Sequence, residues 1–387
     1  MTQPRRLRIC FVAHFAHRAI SGATGGHIGG VERQANLMTK WLAQRGHAVD
    51  VITWDEGQPD TVEYDGVRVL STCRESDGLP GLRFVHPRWT SLIAAMRAAD
   101  ADVYYQNCAE YVTGQVALWC KANKKKFVYS VASDPDCDKR LPTLNSFRER
   151  ALYRAGLRRA DAVIVQTSKQ QRMLQDGFAR ESVMLPMPCE RLVLDEREAD
   201  STKPGKDVPR VVWVGRLDPV KRAELAIDVA ARCPDIQFDM VGPSASEDYT
   251  RQLRERSSGL DNVHWVGPVN FAEVGHLYRR SLALLCTSKF EGFPNTFLEA
   301  WSMGCPVVST VDPDDLIRHQ ALGAVATDAD GLAEALRAMT RDGGLRETLS
   351  GNCRRFFRER HEKDTAMARF EDLLVRVADG RTLAAYS

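Results

Sequence analysis

The chain has 387 residues, a net charge of +2, 44% hydrophobic residues and 27% charged ones. That is the make-up of a soluble globular chain of about two to three domains. Near-neutrality gives no electrostatic footprint for nucleic acid, and no run of about 18 apolar residues is present to cross a membrane. The ten cysteines form no CxxC pair and several sit inside apolar runs, a pattern of reduced, buried thiols in a cytoplasmic protein and not of a zinc site.

The N-terminus, MTQPRRLRICFVAHF, reads as a tail running into a first strand at 7–13 and not as a signal peptide. A glycine-rich loop, SGATGGHIGGVERQ (21–34), leads into a helix from about Val31 to Gln44. Strands are predicted at 47–54, 102–106, 126–132 and 161–167. Short apolar strands separated by helices imply a parallel sheet covered on both faces, and the βαβα order implies a doubly wound domain. The alternation breaks at LDEREADSTKPGKDVP, which is charged, carries Pro and Gly and lacks apolar periodicity. It restarts with strands at 210–215, 236–242, 262–267, 281–288 and 305–310. The tail HEKDTAMARFEDLLVRVADG (361–380) has helical spacing at Met367, Phe370, Leu373 and Leu374.

Residues 288–310 read SKFEGFPNTFLEAWSMGCPVVST. Pro294 suits a helix start and Gly304 the position past its end, which predicts a helix over Asn295–Met303. Its N-terminus suits phosphate. Glu291 precedes that end and Glu299 lies about 12 Å further on, at ~1.5 Å rise per residue. That is roughly the reach of a nucleoside diphosphate carrying a sugar, with carboxylates suited to paired hydroxyls.

This stretch resembles the E-x7-E signature of retaining glycosyltransferases of family 4, which have the GT-B fold. VVWVGRLDPVKRAELAI (211–227) is similar to the family segment whose cations clamp the donor diphosphate, here Arg216 and Lys221. The glycine loop follows the family pattern through Gly29 and Gly30; it is neither GxGxxG nor GxxxxGK. The resemblance covers nearly the whole chain and implies two Rossmann-like doubly wound α/β domains facing each other across a cleft. It divides the chain into an acceptor-binding domain (1–189), a linker (190–208) and a nucleotide-sugar donor-binding domain (209–364), with a C-terminal helix at about 365–387 packing back on the first.

The resemblance also implies the site residues. Glu291 is a catalytic candidate by that resemblance; Asp134 is the other, as a stand-in for a histidine that many members carry and this chain lacks. Arg216, Lys221, Gly30, Phe293, Pro294, Asn295 and Thr296 would hold the diphosphate. Glu291, Gly292, Phe293 and Asp134 would hold the sugar, and Glu299 the ribose. The pattern departs from the family at KFVYSVASDPDCD (126–138), where many members carry a donor-contacting histidine and this chain has Ala132, Ser133 or Asp134. The family's Asn-Gly near the end of the first domain is replaced by LPMPCE (185–190). DPDCD invites a divalent-cation reading, but Arg216 and Lys221 supply the same electrostatics, so neither metal nor cofactor is expected. His14, His17 and His27 lie near the glycine loop, His27 being the best placed of them.

The expected activity is retaining, metal-independent transfer of a sugar from a UDP- or GDP-sugar to a saccharide, lipid-linked or other hydroxyl acceptor in polysaccharide or glycoconjugate biosynthesis. A nucleotide-sugar epimerase and a non-catalytic nucleotide-sugar-binding member of the same fold are the alternatives. KANKKK (121–126) and the arginine-rich RERALYRAGLRRAD (148–161) admit two readings, a solvated face or peripheral contact with the inner face of a membrane.

Overall fold

The computed structural model describes residues 5–23, 29–192 and 208–383. The chain divides into two compact units, one of residues 1–188 with 366–387 and the other of residues 189–365. Cys189 falls to the second unit because its N–H donates to the His361 carbonyl at 2.8 Å and its strand-like bridge is to Glu362.

The first unit is built on an eight-stranded sheet. Its strands are β1 (Arg8–Val12), β2 (Ala48–Thr53), β3 (Thr61–Tyr64), β4 (Val67–Ser71), β5 (Val103–Asn107), β6 (Lys126–Ser130), β7 (Ala162–Val165) and β8 (Val183–Met184). Their order is β3-β4-β2-β1-β5-β6-β7-β8, parallel except for β3 against β4. The β3–β4 hairpin was not foreseen from the sequence. Its turn is Asp65-Gly66, both at positive φ, which matches the right-handed twist of the flanking strands. The central strands are largely apolar and buried because helices cover both faces.

One of those covering elements comes from the far end of the chain. The helix Lys363–Ala378 buries Met367, Phe370, Leu373, Leu374 and Val377 in the same cluster as Phe11 and Tyr105. The Phe370 ring meets Tyr105 edge-on at 5.3 Å. Five such side chains contribute on the order of 10 kcal/mol of gross burial before ordering entropy is subtracted. The same helix carries one buried carboxylate, Glu371, which accepts from His47 Nε2 at 2.8 Å and from Arg45.

The second unit has a six-stranded parallel sheet of β9 (Arg210–Val214), β10 (Gln237–Val241), β11 (Val263–Gly267), β12 (Ala283–Cys286), β13 (Val307–Ser309) and β14 (Gly323–Val325). Its order is β11-β10-β9-β12-β13-β14. In both sheets the chain winds outward in two directions. The reversal lies between β1 and β5 in one and between β9 and β12 in the other. In open α/β sheets the crevice at the carboxyl ends of such strands is where ligands bind.

Candidate functional site

In the second unit the reversal point places two loops together. Leaving β9, the chain passes Gly215 and turns through Arg216–Lys221. Asp218 sets this turn: its Oδ1 accepts from the N–H groups of Val220 and Lys221 at 2.9 and 3.2 Å. Leaving β12, the chain runs through Thr287, Ser288 and Glu291 into the helix Asn295–Ser302. The two loops are laced together. Trp213 Nε1 donates to Thr287 Oγ1 at 2.9 Å, Thr287 Oγ1 donates to the Lys221 carbonyl at 2.7 Å, and Lys289 N–H donates to the Val220 carbonyl at 2.9 Å.

Lys221 and Glu291, 70 residues apart, are thereby brought into contact, with Nζ donating to Oε1 at 2.5 Å. Ser288 Oγ donates to the same oxygen at 2.6 Å. Arg216 stands on the same turn with half its side chain in solvent and its Nε on Asp218 at 3.0 Å.

The helix Asn295–Ser302 starts at an extended Pro294 cap and is closed by Met303, one residue earlier than expected, followed by Gly304 at φ +71°. Asn295 and Thr296 form its first turn. Phe293 packs its side chain into the unit, the ring 5.1 Å from His361 and 6.2 Å from Trp301, which leaves its backbone and that of Gly292 as the groups it can offer a ligand. Glu299 is 4% exposed and its Oε2 accepts from the Tyr278 hydroxyl at 3.0 Å.

In the first unit a pocket lies at the carboxyl ends of β1 and β5. Val12, Ala13, His14, Glu32, Gln34, Asn107 and Glu110 help to line it. His14 stacks on Trp54 at 4.1 Å, and burial, followed by the Arg88 charge, lowers its pKa to about 4. Among the described residues its Nε2 has no hydrogen-bond partner, and neither does Asn107 Oδ1. Glu110 Oε2 is 3.9 Å from His14 Nδ1. Desolvation, reinforced by Asp136, Glu32 and Glu75, pushes the Glu110 carboxyl up to about 7, although 35% of its side-chain surface still meets solvent.

Gly30 opens the helix Gly30–Gln44 behind the Gly29 cap; His27 lies outside the described residues. His17 sits between Tyr64 and Glu56. Asp134 begins the short helix Asp134–Cys137 capped by Ser133. Its carboxylate takes Lys169 Nζ at 2.6 Å and Gln170 Nε2 at 3.3 Å. Asp136 accepts from the N–H groups of Ala132 and Ser133, and burial raises its pKa. Among the described residues no group of three or more His, Cys, Asp or Glu is placed to hold a metal ion, and no helix is long and apolar enough to cross a membrane.

Sequence reading passed over Ser288, Thr287, Asn107 and Glu110. Ser288 had a signal, since a serine three residues before a glutamate puts a hydroxyl within reach of the carboxylate. Glu110 had none, because its neighbours come from distant strands.

Two family models match. One, described as glycosyl transferases group 1, takes in residues 208–342; the other, described as a glycosyl transferase 4-like domain, takes in residues 29–189. The D-inositol 3-phosphate glycosyltransferase of Geodermatophilus obscurus is 27% identical over 220 residues, 51% of this chain and 48% of that protein. The chain thus spans about half of that relative. A phosphatidylinositol N-acetylglucosaminyltransferase component of Arabidopsis thaliana is 23% identical over 338 residues, 82% of this chain and 72% of that protein. Sucrose-phosphate synthase of Thermosynechococcus elongatus superposes with a TM-score of 0.79 at 19% identity, over 96% of this chain and 99% of that one. Anabaena HepE in complex with UDP and glucose does so with a TM-score of 0.74 at 18% identity, over 95% and 98%. At these identities the structural likeness is one of fold.

Proposed function

The chain belongs to the group 1 glycosyl transferases with the GT-B fold, and from that premise we propose that it transfers a sugar, with retention of configuration and without a metal, from a nucleoside-diphosphate sugar to a hydroxyl acceptor in glycoconjugate or polysaccharide assembly. The observation that carries this reading is the meeting of Lys221 and Glu291 at the reversal point of the second sheet. A cation for the diphosphate and a carboxylate for the sugar stand side by side just ahead of a helix N-terminus.

In this reading Arg216, Lys221 and the N–H groups of Asn295 and Thr296, behind the Pro294 cap, hold the diphosphate, and Glu299, steadied by Tyr278, holds the ribose. UDP is favoured by the likeness to HepE, with GDP the alternative. Glu291, with the Gly292 and Phe293 backbone, positions the sugar. The acceptor oxygen attacks the anomeric carbon on the face that the phosphate leaves. The C–O bond to the phosphate breaks, and the acceptor proton passes to the departing phosphate oxygen. Arg216 and Lys221 neutralise the charge that develops there. Two-carboxylate glycosidases instead use one group as a covalent nucleophile; here Glu291 stabilises positive charge at the anomeric carbon.

The acceptor is assigned to the first unit, where the pocket of His14, Asn107 and Glu110 offers unpartnered polar atoms to hydroxyls. Gly30 would approach the diphosphate, and Asp134, already held by Lys169, would take over part of the missing histidine's contact with the sugar. Peripheral contact with the inner face of a membrane is part of the same reading. Phe147, Leu82 and Val85 are 83%, 65% and 55% exposed; Leu82 and Val85 lie close to Phe84 in sequence and Phe147 precedes Arg148, whose guanidinium stacks over the Phe84 ring at 3.8 Å. Apolar side chains set among arginines suit an anionic lipid surface.

The test is stereochemical. Product NMR after incubation with α-linked UDP- and GDP-sugars and a panel of glycoside, polyol and lipid acceptors should show an α-linkage. A β-linked product would refute retention. Release of an epimerised sugar nucleotide without acceptor would refute transfer, and binding without transfer or donor hydrolysis would make the chain a non-catalytic member.

A further inference from the structure

Glu291 is held in an unsymmetrical way. Both of its donors, Lys221 Nζ at 2.5 Å and Ser288 Oγ at 2.6 Å, reach the same oxygen, Oε1. Oε2 has no partner among the described residues. Ser288 is itself buried and fixed. Its carbonyl accepts from Thr310 Oγ1 at 2.7 Å, and its Oγ lies 3.6 Å from Cys286 Sγ. The hydroxyl therefore sits on a loop pinned to β12 and β13. Lys221, in contrast, has a flexible four-carbon stem and a third of its side chain in solvent.

These two donors respond differently to a diphosphate. Lys221 is a mobile cation that carries the only full positive charge on Glu291 among the described residues, and a diphosphate competes with the carboxylate for it. Once the ammonium turns to phosphate, Glu291 faces an anion and loses its counter-charge. Without another tether it would swing toward water. The Ser288 hydroxyl is neutral, so the arriving phosphate leaves it on Oε1.

We infer, on the reading of this unit as the donor site, that Ser288 is a positioning residue: it keeps Oε1 of Glu291 in place while Lys221 is handed from Glu291 to the donor diphosphate, so that Oε2 stays presented to the sugar. Donor-free, the Lys221–Glu291 pair closes the site electrostatically; donor-bound, the same lysine is on phosphate and the serine alone carries the carboxylate.

Two consequences separate this from a purely structural role. Ser288 acts after the diphosphate has bound, so its loss falls on kcat and not on nucleotide affinity. Glu291 competes for Lys221, so removing its charge strengthens nucleotide binding. The experiment combines calorimetry with UDP and GDP and steady-state transfer from the corresponding sugar nucleotides, on wild type, Ser288→Ala, Ser288→Thr and Glu291→Gln. In Ser288→Ala kcat should fall about 10- to 100-fold, the worth of a hydrogen bond to a charged group, with donor KM and nucleotide Kd within about twofold. Ser288→Thr, which keeps the hydroxyl, should restore kcat to within about threefold. Glu291→Gln should bind the nucleotide about fivefold tighter or better, the usual size of a coupling between two sites, while losing transfer.

The inference is overturned if Ser288→Ala keeps its kcat, if its nucleotide affinity falls as far as its kcat, or if Glu291→Gln binds nucleotide no more tightly than wild type. Those outcomes leave the donor-site reading standing. Failure of wild type to bind any nucleotide diphosphate removes that reading and this inference together. A crystal structure of Ser288→Ala with the nucleotide diphosphate bound and Lys221 on phosphate, in which the Glu291 carboxylate has not moved, also overturns it, whether or not sugar is transferred.

Discussion

Gly242 packs against the backbone at the start of the Arg216–Lys221 turn, and its replacement by alanine has a cost that follows from the local geometry. Its φ of +138° is one that side chains rarely adopt. A Cβ there would lie 1.9 Å from the Gly215 carbonyl oxygen and 2.8 Å from the carbonyl carbon. Both are backbone atoms, so no rotamer change relieves the overlap. A carbon–oxygen contact needs roughly 3.3 Å, so the start of the Arg216–Lys221 turn must shift by more than about 1 Å. Backbone strain of about 1–3 kcal/mol and overpacking of about 1–3 kcal/mol together suggest a loss of about 4 kcal/mol. Urea unfolding would measure it, with Gly259→Ala as control, because a Cβ at Gly259 meets nothing within 4 Å. Gly242→Ala is expected to lose stability and its nucleotide-induced thermal shift, while Gly259→Ala stays within about 0.5 kcal/mol of wild type. If Gly242→Ala also stays within that margin, the close approach of β9 and β10 does not constrain the loop as argued.

The C-terminal helix should be the part of the first unit most sensitive to His47. His47→Ala leaves the buried Glu371 carboxylate with Arg45 as its remaining partner and orphans the Leu7 N–H that His47 Nδ1 accepts at 3.1 Å. A loss of about 3 kcal/mol is expected, against about 1 kcal/mol for Glu371→Gln; proteolysis that fails to cleave within 363–378 faster in His47→Ala would contradict this. His14, held near pKa 4 when folded against about 6.5 unfolded, leaves the unfolded chain binding more protons between those values. Stability therefore rises with pH from about 4 to 6.5 and is lost on acidification. Glu110, raised to about 7, slopes the other way from about 4.5 to 7, by only about 1 kcal/mol because solvent screens it. His14→Phe should therefore be on the order of 2 kcal/mol less acid-sensitive than wild type; parallel stability curves from about pH 7 to 4.5 would refute the assignment. Sedimentation with phosphatidylglycerol-containing vesicles should be at least about tenfold weaker for Leu82→Glu/Phe147→Glu, and equal sedimentation would remove the membrane contact.

The strands with continuous apolar runs, from Arg8–Val12 to Val307–Ser309, could be read from the sequence because both faces of each sheet are covered, and the break in periodicity after Pro188 marked where one unit gives way to the next. The Thr61–Ser71 hairpin was missed although Asp65-Gly66 between alternating residues is the turn signal such a hairpin carries; β3 is an edge strand, half polar, and offers no apolar run. In the second unit, that Arg216, Lys221 and Glu291 lie on loops just past strand ends could be read from the sequence, because each follows an apolar run by a few residues. Their partners were not all legible: that Lys221 rests on Glu291, and that Ser288 shares its oxygen, depends on loops 70 residues apart being laced through Trp213 and Thr287. The pocket of His14 and Glu110 was invisible for the same reason. Strand order, which brings β1 beside β5, is a tertiary fact.

The most direct measurement is a thermal-shift screen of the purified chain against UDP, GDP, ADP and their common sugar conjugates, with and without EDTA, repeated on Arg216→Ala and Glu299→Ala. A ligand that binds only the folded state raises its melting point by mass action. The expected result is a shift with one nucleotide that survives EDTA and shrinks in both variants. No shift with any nucleotide would contradict the donor site, and a shift abolished by EDTA would contradict its metal independence.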